Sequence, residues 1–138
     1  MMKQIAEVEQ ARALMTEAID WSVMKWLSEK RRVRKAADRA NTVLNQVEAG
    51  IRARWSPHFR SAYDESVVAP PQLKSLVNRI RREHDEANKF RMEAEKTFDG
   101  AEKRLSTAMA REGCRLAIEG WDHHLEAIRL AETALESK

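Results

Sequence analysis

Apolar residues recur at alternating three- and four-residue steps over most of this chain. In the first part they fall at Ile5, Val8, Met15, Ile19 and Trp26. The pattern resumes at Val33, Ala36 or Ala37, Ala40, Val43 or Leu44, Val47 and Ile51. Such spacing gathers them on one face of an α-helix. Neither Pro nor Gly occurs between Met1 and Ala49. The spacing therefore predicts a helix over about 4–55, about 75 Å long at about 1.5 Å per residue. Arg12, Ser22 and Glu29 interrupt the stripe.

The region of about 56–71 predicts a turn. Gly50 weakens the helix before it, and Ser56-Pro57 is a helix-start signal with Ser as cap and Pro in the first turn. A short helix from Pro57 to about Ser66 is expected there, with Phe59 and Tyr63 on one face. Ala69-Pro70-Pro71 ends it, because a residue before proline is driven out of the helical region. A second long helix is predicted over about 72–136. Its stripe runs through Leu73, Val77, Ile80, Ala87, Ala94, Phe98, Ala101, Leu105, Met109, Leu116, Trp121, Leu125, Ile128 and Leu135. The phase carries through Gly100, which favours one continuous helix.

Two long amphipathic helices joined by a short connection pack antiparallel and bury their stripes along a coiled-coil-like seam. The expected architecture is one all-α domain over 1–138, a long helical hairpin. The alternative is a three-helix bundle broken at Gly100. Between Ala11 and Leu27, and again from Cys114 to Leu135, apolar residues occupy more than one helix face. A helix that is apolar nearly all round needs neighbours on several sides. These segments form the open end of the hairpin, so the expectation is association there, as a homodimer forming a bundle or with a helical protein partner. Trp21, Met24, Ile118 and Trp121 are the candidate contact residues.

Composition supports this class. Of 138 residues, 34% are charged and 6% aromatic, with only four Gly and three Pro. Turn formers are too few for a β-rich chain. The single Cys114 cannot form an internal disulfide, and no apolar run approaches the roughly 20 residues that span a bilayer. Met1–Gln10 lacks the apolar stretch of a signal peptide. The expected location is cytoplasmic, without a membrane.

Charge is unevenly placed. The net charge is +3, yet the 25–39 region holds seven basic residues against Glu29 and Asp38. Lys30, Arg31, Arg32, Arg34, Lys35 and Arg39 form a candidate basic patch. Arg52, Arg54, Arg60, Arg79, Arg81 and Arg82 flank the turn, whereas the stretch from Glu112 onward is acidic. A basic stripe can contact phosphates or steer an acidic protein, and on a long helix it is most often a solvated face. Aromatic interleaving is thin and no base-reading motif accompanies it. Nucleic-acid binding is therefore the alternative function.

Catalytic chemistry finds no foothold in the spacing. Glu119, His123 and Glu126 share a helix face at i, i+4 and i+7, a geometry able to hold a divalent metal. The Glu-x-x-His pairs of four-helix carboxylate-bridged metal proteins are absent, since Gly120 and Trp121 stand three residues before His123 and His124 and Arg81 stands before His84. His84, Asp85 and Cys114 lie far apart along a rod. No phosphate loop, nucleophile elbow or H-E-x-x-H motif occurs. The sequence thus predicts no catalytic residue, cofactor or metal, and no deep polar pocket of converging titratable groups. The general plan is similar to stalk-like coiled-coil proteins of bacterial export machinery, a likeness of architecture that transfers no functional positions. The expected function is that of a non-enzymatic interaction or scaffold protein.

Overall fold

A computed structural model describes residues 2–54 and 71–136 of the chain. The described residues form four helices: α1 Met2–Ala18, α2 Val23–Arg54, α3 Pro71–Arg104 and α4 Thr107–Glu136. The all-α class holds, and no strand occurs among the described residues. The short helix expected at 57–66, with Phe59, Tyr63 and Arg60, lies outside them.

Each long amphipathic segment is broken once. The helix expected over 4–55 ends at Ala18 and restarts at Val23. The amides of Ile19, Asp20 and Trp21 bond only three residues back, to Thr16, Glu17 and Ala18 at 3.3, 3.2 and 3.1 Å. This tightening closes α1. Ser22 then caps α2, its Oγ accepting the Lys25 N–H at 3.2 Å. The residue that had marked a flaw in the stripe is the start of a new helix.

The second segment breaks at Leu105-Ser106 and not at Gly100, which lies inside α3. Leu105 adopts a left-handed conformation with φ 51°. The Ser106 N–H reaches back to the Ala101 carbonyl at 3.1 Å, the long bond of a Schellman ending. Ser106 Oγ then caps α4 by accepting the Met109 N–H at 3.2 Å.

Paired residues give the helix directions. Val23, Asn41 and Glu48 of α2 meet Thr107, Trp121 and His124 of α4, so these two run parallel. Lys30 and Glu48 of α2 meet Glu102 and His84 of α3, so these run antiparallel. Glu7 of α1 meets Arg39 of α2, and Arg12 of α1 meets Asp122 of α4. The fold is thus two helical hairpins, α1–α2 and α3–α4, joined mainly across α4.

The expected stripe of α2 is the core, with Val33, Ala40, Leu44, Val47 and Ile51 buried. The α3 stripe is buried at Ile80, Ala87, Ala94 and Ala101, every seventh residue and mostly alanine. Small side chains there let α4 approach closely. A Cβ on Gly120 would lie 3.3 Å from the Ala87 carbonyl oxygen, and one on Gly113 would strike the Phe98 ring. The wide apolar segments turn inward once the chain reverses at 19–22. Met15, Trp21 and Trp26 are buried, as are Cys114, Trp121, Ile128 and Leu130. Among the described residues, no helix is long and apolar enough to cross a membrane.

Candidate functional site: a groove between α2 and α3

Although α2 and α3 lie side by side, they pack on each other little, because each leans on α4. The space left between them is a cavity of about 420 Å³. Its walls follow from helical spacing. Arg34, Asp38, Asn41 and Asn45 line one side along α2; His84, Asn88, Arg91 and Glu95 line the other along α3. The floor is α4 at Ala117, Gly120 and Trp121, with Ala87 and Ala94 beside it. This volume lies in the range of ligand-receiving pockets. The expectation of no deep polar pocket is thereby corrected; the wide apolar face of α4 supplies its floor.

Both ends of the groove are fastened. At one end Trp26 stacks on Phe98, with ring centroids 4.3 Å apart and planes within 11°. Beside them Glu102 of α3 bridges Lys30 and Arg34 of α2, at 3.3 and 3.6 Å. Trp26 is fully buried, and its Nε1–H finds no acceptor among the described residues. Trp121 is satisfied, donating its Nε1–H to Asn41 Oδ1 at 3.0 Å.

At the other end three helices bring Glu48, His84 and His124 together. Glu48 Oε2 lies 2.9 Å from His124 Nε2 and 3.2 Å from His84 Nε2. The two imidazoles meet edge to face at 5.3 Å. Burial acts to raise the Glu48 carboxyl, but hydrogen bonds from His124 and His84 outweigh it and hold the group well below the usual carboxylate range. Asn88 stands beside the ring, its amide 3.5 Å from His84 Nδ1. A carboxylate with two imidazole nitrogens, all within 4.8 Å of one another, can hold a metal ion.

The helix-face set read from spacing, Glu119, His123 and Glu126, does not assemble in this way. His123 Nδ1 pairs with Glu83 of α3, its ring stacks on Phe90, and Glu119 is a distant 3.9 Å. The Glu126 carboxylate is taken by Arg129.

Of the four apolar contact candidates, Trp21 and Trp121 are each 5% exposed within the chain. Ile118 is half-buried against the core, and Met24 is 65% exposed. In the basic patch, Lys30 and Arg34 serve Glu102, Arg32 pairs with Glu29 at 3.0 Å, and Arg39 reaches Glu7 at 3.7 Å. Arg31 and Lys35 are exposed. Cys114 is fully buried, and burial pushes its thiol up to about 12, far from a nucleophilic thiolate. Compared with protein-family models, curated proteins and solved structures, the chain matches none.

Proposed function

We propose that this protein is a non-enzymatic interaction protein that receives a helical segment of a partner in the groove between α2 and α3. The observation that carries this reading is the cavity left between α2 and α3, open to solvent and floored by Ala117, Gly120 and Trp121 of α4. Helix-in-groove recognition uses anchors at i, i+3 or i+4, and i+7 on one face. A cavity of about 420 Å³ has room for such anchor side chains. Arg91 on one wall, with Asp38, Glu95 and Asp99, suits a segment carrying charges of both signs beside its apolar face.

The reading keeps the expected partner class and moves the surface. Trp21 and Trp121 contribute packing within the chain, and Met24 is exposed; the other exposed large apolar residues among those described are Met92 and Leu105. Nucleic-acid binding through the basic patch rests on Arg31 and Lys35, since the other four cations are engaged with carboxylates.

A photo-crosslinker at Asn45 or Asn88, compared with one at exposed Arg111, tests the groove in the native host. The reading expects one defined adduct from the groove positions and none from position 111. Either no adduct at Asn45 and Asn88, or the same adducts at all three positions, would sink it. Saturable binding of oligonucleotides at near-physiological salt, lost in Arg31→Gln/Lys35→Gln, would favour the second reading.

A further inference from the structure

We propose that Glu48, His84 and His124 form a binding site for a divalent transition-metal ion of the zinc class, independent of what the groove receives. Each donor comes from a different helix: Glu48 from α2, His84 from α3, His124 from α4. Both imidazoles present Nε2, and both Nε2 atoms converge on the same carboxylate oxygen. Ligands about 2.1 Å from a tetrahedral Zn²⁺ stand about 3.4 Å apart. The Glu48 separations of 2.9 and 3.2 Å lie within about half an ångström of that, and all three donor atoms lie within 4.8 Å of one another.

The surroundings suit an ion. Side-chain exposures of 15% for Glu48, 29% for His84 and 14% for His124 leave the donors partly covered yet accessible. His84 and His124 also line the groove, so water from the cavity can complete the shell. The Asn88 amide, turned to present its oxygen, would accept His84 Nδ1–H and leave the Nε2 lone pair to the metal. Two nitrogens and one carboxylate oxygen suit zinc better than magnesium or calcium, which favour all-oxygen shells. An ion here ties α2 to α3 through α4, at the end of the groove opposite the Trp26–Phe98 stack.

The test is titration of chelator-treated protein with Co²⁺, followed by displacement with Zn²⁺. The expected result is one saturable equivalent with the visible absorption of a low-coordinate cobalt site, bleached by zinc. His84→Ala and His124→Ala should each weaken binding at least about tenfold. His123→Ala should not, because His123 is engaged with Glu83 and Phe90 of α3. Wild-type protein supplies a readout that needs no variant to fold: on adding Zn²⁺, the imidazole NMR signals of His84 and His124 should shift and that of His123 should stay. Absence of saturable binding, or a shift confined to His123, would overturn the site.

Discussion

Thr107 Oγ1 accepts the backbone N–H of Val23 at 3.0 Å, so the first residue of α2 and the first residue of α4 are tied to each other. Both interruptions of the chain therefore meet at one point. The Val23 N–H belongs to the first turn of a helix, where amides have no intrahelical acceptor. Thr107→Val keeps the shape and removes the acceptor. The expected loss is about 1–2 kcal/mol in urea unfolding, with Thr107→Ser close to wild type. Equal stability of all three proteins would show that water replaces the hydroxyl without cost.

Leu105 occupies the left-handed ending of α3 with its side chain 60% exposed. An L-residue in that conformation costs roughly 1 kcal/mol relative to glycine. Leu105→Gly should therefore raise stability by up to about 1 kcal/mol, less the small burial it gives up. A lower thermal midpoint would mean that the leucine packs better than its exposure implies.

Glycine-to-alanine changes should have opposite signs at two positions. Gly50 is helical, exposed and has nothing within 4 Å of an added Cβ. Gly50→Ala should stabilise by about 0.5–1 kcal/mol. At Gly113 the Cβ would lie 2.5 Å from the Phe98 ring, which is itself held by its stack on Trp26. Gly113→Ala should cost about 1–3 kcal/mol despite the better helix propensity. Matching signs in denaturant melts would contradict the close approach of α3 and α4.

Cys114 predicts an alkaline effect. Its ordinary pKa of 9.0 applies to the unfolded chain, and burial pushes the folded value up to about 12. Between those values the unfolded state has lost the proton that the folded state keeps, so stability falls as pH rises through that window. Cys114→Ala should flatten this part of the pH–stability curve relative to wild type. Thiol reagents should label wild-type protein at mildly alkaline pH only at the rate of opening.

Much of the helical skeleton is legible from residue spacing, and the reasons for the gaps are local. The stripe from Val33 to Ile51 and the continuity through Gly100 were both readable, because buried positions kept a regular phase. The reversal at 19–22 was hidden because Met15, Ile19 and Trp26 keep three-four steps numerically across it, and Asp20-Trp21-Ser22 holds neither Gly nor Pro. Ser22 as a cap was the available signal. The break at 105–106 uses Leu where glycine is usual, so it left no mark. Glu48, His84 and His124 share no local spacing at all; only the parallel run of α2 with α4 and the antiparallel run of α3 bring them together. His123, adjacent in sequence to His124, has an i, i+4 partner in Glu119 but pairs with Glu83 and stacks on Phe90.

The role of α4 as the element common to both hairpins bears on how the molecule assembles. Within each hairpin the helices are joined by very short connections, Ile19–Ser22 and Leu105–Ser106, so their pairing closes small loops at little entropic cost. Such local pairs are expected to form before the docking across α4, the step that spans distant parts of the chain. Separate chains covering 1–54 and 71–138 should for that reason recombine into the four-helix structure when mixed, their association being an intermolecular version of the last folding step.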